Sequence, residues 1–67
     1  MIVILNGKPT EINKEILTLE EIIKLTVKNE IKIAVAINET HIPKHLYSNQ
    51  LIHDGDRVEI LTPIYGG

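Results

Sequence analysis

The sequence contains no cysteine, no phenylalanine and no tryptophan, and two tyrosines are its whole aromatic content. Without cysteine, a disulfide framework, a cysteine-ligated zinc site and a thiol nucleophile are all excluded. The formal net charge is −2, with acidic and basic residues interspersed. The chain therefore offers neither the basic surface nor the stacking rings that nucleic acid requires, and we expect no nucleic-acid partner.

Long apolar runs are also missing from the sequence. The apolar start of the chain is interrupted at Asn6 before the core of a signal peptide develops. No run approaches the ~20 residues that a membrane span needs. We therefore expect no membrane partner and a cytoplasmic location. A chain of 67 residues has room for one small domain.

The apolar residues that are present are nearly all aliphatic, and isoleucine is the commonest of them. β-branched side chains are stiff and pack well on a pleated surface, so the composition favours a sheet. The segment MIVIL is followed by Asn6 and Gly7, a pair typical of the type I′ turn of a hairpin. MIVIL and KPTEI are therefore predicted to pair as antiparallel strands. Pro9 cannot donate to a ladder, which puts the second strand at the sheet edge.

One amphipathic helix of about three turns is predicted for the segment TLEEIIKLTVKNE. Thr18 and Glu21 have the spacing of a capping box, and apolar residues recur from Leu19 at helical intervals. A polar connection over residues 39–50 is predicted between the later strands, with a short helical turn at KHLY.

Two strands are predicted after the helix. The segment KIAVAIN alternates large with small side chains, and the last strand runs over residues 57–61 behind a turn at Asp54 and Gly55. The pair LI at residues 51 and 52 is too short to assign, so the sheet has four or five strands. If the last strand lies beside the first in parallel, the sheet is mixed.

A single helix covers only one face of such a sheet. Strand alternation puts Val58 and Ile60 on the face that the helix covers. Ile33, Val35 and Ile37 are predicted to share that face. Five apolar residues fall on the other face: Ile2, Ile4, Ala34, Ala36 and Leu61. An exposed apolar patch on a small protein often marks a docking surface. We predict that these five residues bind a protein partner. The alternative is that the patch is covered by self-association or by the connection over residues 39–50.

The three histidines and the DGD segment are weak candidates for a metal site. His41 and His45 are four residues apart, but Pro43 between them disrupts a regular helix. No cysteine or ordered carboxylate completes a site with them or with His53. DGD lacks the ligand spacing of a calcium loop and is more typical of a tight turn. We predict no metal site.

The order of these elements is one part of a resemblance to a known family. The other parts are AIN at residues 36–38 with Pro43 soon after, DGDRVEILTP at 54–63, and the diglycine at the end. Together they resemble the ubiquitin-like β-grasp sulfur carriers, specifically the ThiS family of thiamin biosynthesis, over residues 1–67. The resemblance implies an α+β fold, with a mixed four- to five-stranded sheet and one helix packed on one face. A β-grasp domain over residues 1–62 would precede a flexible tail over residues 63–67.

The resemblance also implies a function and a set of partners. The Gly67 carboxyl would be adenylated with ATP by a ThiF-like adenylyltransferase and converted to a thiocarboxylate. A sulfur donor such as a cysteine desulfurase would supply the sulfur, and a ThiG-like thiazole synthase would consume it. The chain would bind no cofactor and contain no catalytic residue, because the partners hold the catalytic groups. It would be a cosubstrate and not an enzyme.

The tail that would enter the partner's active site comprises Pro63, Ile64, Tyr65, Gly66 and Gly67. Five extended residues span about 16 Å at ~3.3 Å each, and glycines let a narrow channel close around bare backbone. Tyr65 departs from the small residue that precedes the diglycine in many relatives.

Two other functions are left open by the sequence. A MoaD-type small subunit of molybdopterin synthase, or a carrier of sulfur for tRNA or cysteine, uses the same terminal chemistry. A non-covalent β-grasp binding module needs no free diglycine. The fold alone does not distinguish among them.

Overall fold

The computed structural model describes residues 1–27 and 32–62. The helix and strands within these ranges are, in chain order, β1 (Ile2–Leu5), β2 (Lys8–Glu11), β3 (Leu17–Thr18), α1 (Leu19–Thr26), β4 (Ala34–Ile37), β5 (Thr40–Ile42), β6 (Leu51–Ile52) and β7 (Arg57–Leu61). A short 3₁₀ helix, Lys44–Leu46, lies between β5 and β6 and confirms the helical turn predicted at KHLY.

Five strands form one mixed sheet in the order β2-β1-β7-β4-β5. The last strand, β7, pairs in parallel with β1 and antiparallel with β4, so it occupies the centre. Parallel pairing of the first and last strands requires the chain to cross over, and α1 lies in that crossover. The predicted mixed sheet with one helix is confirmed, and its main sheet has five strands in the described residues.

The first hairpin forms as its turn residues predict. β1 and β2 are antiparallel, with Leu5 opposite Lys8. Asn6 and Gly7 have φ angles of 49° and 82°, the left-handed values that a type I′ turn requires at both central positions. Pro9 lies in β2, which is an edge strand, as expected for a residue without an N–H donor.

The helix α1 begins with the predicted capping box. The Thr18 side chain accepts a hydrogen bond from the Glu21 N–H, and the Glu21 carboxylate accepts one from the Thr18 N–H. Two more donors of the first turn, the N–H groups of Leu19 and Glu20, bond to backbone carbonyls of the 47–50 segment. The helix ends at Thr26, earlier than the three predicted turns, and residues 28–31 of that prediction lie outside the described residues.

Two features of the 39–52 region differ from the prediction. The connection predicted over residues 39–50 contains strand β5, which pairs with β4 through a turn at Asn38 and Glu39. Both turn residues have positive φ, 49° and 72°, although neither is glycine. The sequence signal for a hairpin is therefore missing here. The pair LI forms strand β6, which bonds to β3 outside the main sheet.

The core is aliphatic and lies between α1 and one face of the sheet. Its buried residues lie in α1 and in each strand except β2: Val3, Leu17, Leu19, Ile22, Val35, Ile37, Ile42, Ile52, Val58 and Ile60. The predicted alternation of β4 and β7 is confirmed, because their core-facing residues are buried and the intervening ones are not. Each fully buried Val, Leu or Ile contributes about 1.5–3 kcal/mol of transfer free energy. Burial of these side chains therefore favours packing of α1 against this face of the sheet.

The helix α1 has eight residues, well short of the ~20 that cross a bilayer, and residues 1–27 and 32–62 contain no helix that could span a membrane.

Candidate functional site

The uncovered face of the sheet holds all five residues of the predicted docking patch. Ile2 and Leu61 are large apolar residues that are 46% and 65% exposed. Ala34 is exposed as well, whereas Ile4 and Ala36 are half-buried. The structure thus places the five side chains on one face. Their binding of a partner stays a prediction.

The strand register divides this patch into two groups. Leu61 lies opposite Ala34 near one end of the sheet. Ile4 of β1 lies opposite Arg57 of β7. Ile2 lies two residues farther along β1, on the side away from Leu61. Between the two groups β7 presents Arg57 and then Glu59, and Ala36, the fifth residue of the patch, lies opposite Glu59. The patch is therefore two small apolar areas separated by a cation and an anion.

Arg57 and Glu59 are absent from the predicted patch, although the alternation of β7 contains the signal for them. With Ile4, Leu61 and the Asn6–Gly7 turn, they line an open depression on this face. The Arg57 guanidinium is 3.9 Å from the Glu39 carboxylate, and both side chains are more than half exposed. Such a pair contributes little to stability. The uncovered face therefore presents charged side chains of both signs beside apolar ones.

The DGD segment forms the predicted tight turn. Gly55 has a φ of 86°, and both flanking carboxylates accept backbone hydrogen bonds. Asp54 accepts from the Ile2 N–H at 2.6 Å, and Asp56 accepts from the His53 N–H at 2.8 Å. The Asp54 carboxylate thus holds the turn against the start of β1, and the Asp56 carboxylate closes the turn on itself.

Two asparagine side chains bond to the backbone of β7, one near each end of the strand. The Asn38 Oδ1 accepts from the Arg57 N–H at 2.9 Å, and its Nδ2 donates to Asp56 at 3.1 Å. The Asn6 Oδ1 accepts from the Ile60 N–H at 2.8 Å. Asn6 and Asn38 each have a φ of 49° and each begins a turn. Neither role was predicted, because both depend on a strand far away in sequence.

The three histidines occupy separate elements. His41 lies in β5, His45 in the 3₁₀ helix, and His53 just before the DGD turn, and all three are exposed. The His53 Nδ1 is 3.6 Å from the Asp56 carboxylate. Among residues 1–27 and 32–62, no three histidine or carboxylate side chains are grouped closely enough to hold a metal ion.

The residues predicted to form the reactive tail, Pro63 to Gly67, lie outside the described residues. The division into a domain over residues 1–62 and a tail over residues 63–67 accordingly stays a prediction. The structure does describe the strand that leads to them. β7 is the central strand, and its last residue, Leu61, pairs with Ala34 on the uncovered face.

The sequence matches the model of the ThiS family over residues 3–67. Two curated relatives are each described as an uncharacterized protein ycf40. The one from Porphyra purpurea is 36% identical over 63 residues, which cover 94% of this chain and 87% of the relative. The one from Pyropia yezoensis is 29% identical over the same shares of both chains.

Two solved structures of a thiamine biosynthesis protein from Geobacter metallireducens resemble this one. The crystal structure, which is named ThiS, has a TM-score of 0.85 and 29% identity, and each chain covers 100% of the other. The solution structure has a TM-score of 0.82 and 29% identity, and the match covers 100% of this chain and 88% of that one. The sheet order and the single helix are those of the ubiquitin-like β-grasp fold.

Proposed function

Because the chain belongs to the ThiS family, we propose that it is a sulfur carrier of thiamin biosynthesis. In this proposal it is a cosubstrate whose terminal carboxyl group is modified by partner enzymes, and it is not itself an enzyme. The observation that carries the proposal is the family match, which extends through the diglycine to residue 67. The similarity to ThiS over the whole length of both chains supports it.

The proposed chemistry begins at the Gly67 carboxylate, which is a poor acyl electrophile until it is activated. A ThiF-like adenylyltransferase joins it to the α-phosphorus of ATP, and pyrophosphate leaves. The persulfide of the sulfur donor then attacks the acyl carbon and displaces AMP. A thiol of the donor system or of an added reductant cleaves the resulting acyl disulfide, which leaves a thiocarboxylate and a new disulfide. A ThiG-like thiazole synthase takes the sulfur from that group. ATP is thus a substrate of the partner, and this chain needs no bound cofactor.

The uncovered face of the sheet is the proposed docking surface for the adenylating partner. It supplies two apolar areas, around Ile4 and around Leu61, with Arg57 and Glu59 between them. Apolar area contributes affinity, while charges of both signs fix the orientation of a complex. Leu61 is also only two residues before Pro63, the first of the residues proposed to enter the partner's active site. A partner on this face is therefore close to where those residues begin.

Intact-mass analysis tests the carrier function directly. The protein is incubated with ATP, a ThiF-like adenylyltransferase from the same organism, a cysteine desulfurase, cysteine and a thiol reductant. Replacement of one carboxyl oxygen by sulfur adds about 16 Da. A protein whose mass never changes under these conditions is a binding module and not a carrier.

Removal of Gly67 provides the control for that experiment. The truncated chain keeps every residue of the described fold, so circular dichroism should report an unchanged structure. It should gain no sulfur, because the acyl group that the partner activates is displaced by one residue. Thiazole formation with the thiazole synthase, in place of molybdopterin formation with a molybdopterin synthase partner, then identifies the pathway.

The docking surface is tested by the variant Ile4→Asp. A charge placed in an apolar contact removes its contribution and leaves the charge desolvated, so affinity for the adenylyltransferase should fall at least about tenfold. The variant Leu25→Asp is the matched control, since Leu25 is 67% exposed on the helix, away from this face. Equal affinity of Ile4→Asp and wild type in a calorimetric titration would remove this surface from the proposal.

A further inference from the structure

The parallel ladder between β1 and β7 follows a regular pattern up to the first turn. The Ile4 N–H donates to the Asp56 carbonyl, and the Asn6 N–H donates to the Val58 carbonyl, both at 2.9 Å. In a parallel ladder the next bond runs the other way, from the N–H of residue 60 to the backbone carbonyl of residue 6. That bond would complete the pairing of β7 on the β1 side.

The chain turns away before this bond is made. Asn6 adopts a φ of 49° to begin the turn into β2, so its backbone no longer continues the strand. Its side chain supplies the acceptor instead, with Oδ1 2.8 Å from the Ile60 nitrogen. Asn6 therefore does two things at once: it adopts the left-handed turn conformation, which asparagine tolerates well, and it provides the last bond on that side of β7.

We propose that Asn6 is a positioning residue for the transfer of sulfur, an inference that rests on the proposed carrier function. By bonding to the Ile60 N–H, it holds the end of β7 in register one residue before Leu61. The direction in which the chain leaves the sheet is then fixed on both sides, by Asn6 and by the pairing of Leu61 with Ala34.

The physical basis is the position of the bond at the end of a strand. The bond from the Ile60 N–H to Asn6 is partly buried, so removal of the Asn6 acceptor leaves that donor without its protein partner, at a cost in free energy. The end of β7 then separates from β1 more readily, because the freed N–H can bond to water once it is exposed. Only the pairing with β4 still holds that end. An end that samples several directions delivers a reactive group less often, and small misplacements reduce reaction rates strongly. Docking through the sheet face does not require this bond.

Asn38 offers a matched control within the same strand. It has the same φ, it begins a turn, and its Oδ1 accepts from the Arg57 N–H at 2.9 Å. It acts at the start of β7, whereas Asn6 acts at its end. If both asparagines only stabilise the sheet, loss of either bond should affect kcat equally. If Asn6 positions the end of β7, loss of its bond should lower kcat and loss of the Asn38 bond should not.

The test uses three variants, each checked for folding by circular dichroism. Asn6→Gly accepts positive φ but has no side-chain acceptor. Asn6→Asp keeps an oxygen at the same place. Asn38→Gly removes the equivalent bond at the far end of β7. For each, hydrogen exchange of the Ile60 amide is measured by NMR, and kcat and KM are measured for thiocarboxylate formation by the adenylyltransferase and sulfur donor.

For Asn6→Gly we expect Ile60 exchange to accelerate at least about tenfold. We also expect kcat to fall about tenfold, because delivery is impaired. Asn6→Asp should restore both quantities to near the wild-type values. Asn38→Gly should leave kcat unchanged. Because Asn6 also lines the depression, KM is compared in a protein with an ester in place of the Glu59–Ile60 peptide bond, which removes the Ile60 donor alone and should lower kcat while KM stays within about twofold.

Two results would overturn the inference. One is a kcat for Asn6→Gly equal to that of the wild type, and the other is an equal loss of kcat in Asn6→Gly and Asn38→Gly. Should Asn6→Gly fail to fold, an ester in place of the peptide bond between Glu59 and Ile60 removes the same donor and leaves the turn untouched. Failure of the carrier function itself appears differently, as a wild-type protein that never gains sulfur. In that case hydrogen exchange of the Ile60 amide in Asn6→Gly still decides whether the Asn6 side chain holds the end of β7.

Discussion

The two faces of the five-stranded sheet differ in composition and in what they contribute. On β7 the side chains of Val58 and Ile60 are buried against the helix, while Arg57, Glu59 and Leu61 are exposed. On the three inner strands, β1, β7 and β4, the covered face is aliphatic. The uncovered face mixes apolar side chains with charges. Alternation within one strand thus separates the residues that fold the domain from those of the proposed docking surface, because a change on one face has little reason to affect the other.

This separation suits a small protein that must dock on other proteins. A chain of this length has only a few kcal/mol of net stability, so residues that hold the fold tolerate little change. With folding assigned to the covered face, residues on the other face are free to vary with the partner. Substitutions in matched pairs, one on each face, test this division.

The largest expected effect comes from placing a charge on the covered face. Val58 is fully buried, and in Val58→Asp an unpaired carboxylate would lose its hydration, at a cost of several kcal/mol. That cost is comparable to the whole stability of the domain, so the variant should be unfolded at 25 °C. Leu61→Asp, three residues along β7 on the other face, should remain folded. Far-UV circular dichroism and thermal melting of both variants distinguish them, and a cooperative transition in Val58→Asp near that of the wild type would contradict the assignment.

A smaller effect is expected on the helix that forms the cover. Ile22 is 1% exposed, and Ile22→Ala removes buried methyl groups and leaves a cavity, which costs about 2–5 kcal/mol. Leu25, 67% exposed on the same helix, is the matched site. Leu25→Ala should change the free energy of unfolding by less than about 0.5 kcal/mol. Urea denaturation of both variants, analysed with a common slope, measures the difference, and equal losses would mean that the helix packs on the sheet through another face.

Much of this arrangement is predictable from local sequence signals. The Asn6–Gly7 turn, the Thr18–Glu21 capping box and the alternation in β4 and β7 each depend on residues that are neighbours in the chain. The structure confirms all three. The five residues of the predicted patch also lie on the uncovered face, because period-two alternation alone determines that placement.

The remaining features depend on contacts between residues distant in sequence. Strands β3 and β6 have two residues each and exist because they pair with one another. The turn at Asn38 and Glu39 lacks the glycine that marks the first hairpin. The bond from Ile60 to Asn6 joins residues 54 positions apart. None of these has a local signal, so sequence patterns did not identify them.

On the uncovered face, reversal of a charge should affect association and leave stability nearly unchanged. Arg57→Glu would replace the cation in the depression proposed to meet the partner by a carboxylate, beside Glu59 in the same lining and near the Glu39 carboxylate that now pairs with Arg57. We expect the association rate constant with the adenylyltransferase to fall several-fold at low ionic strength. The difference should shrink as salt screens it. Stopped-flow association over a range of salt concentrations measures this effect, with Arg57→Gln as the neutral control. A rate constant independent of both substitution and salt would exclude steering by this residue.

The smallest expected change in stability comes from adjacent residues on opposite faces. Leu61 is 65% exposed and Ile60 is 7% exposed, although they are consecutive in β7. Leu61→Ala should alter the free energy of unfolding by no more than about 0.5 kcal/mol, because little of its side chain leaves water on folding. Ile60→Ala should cost about 2–5 kcal/mol. The same urea titration compares them. If Leu61→Ala were as destabilising as Ile60→Ala, Leu61 would be packed against another part of the chain, and its side chain would not be free to contact a partner.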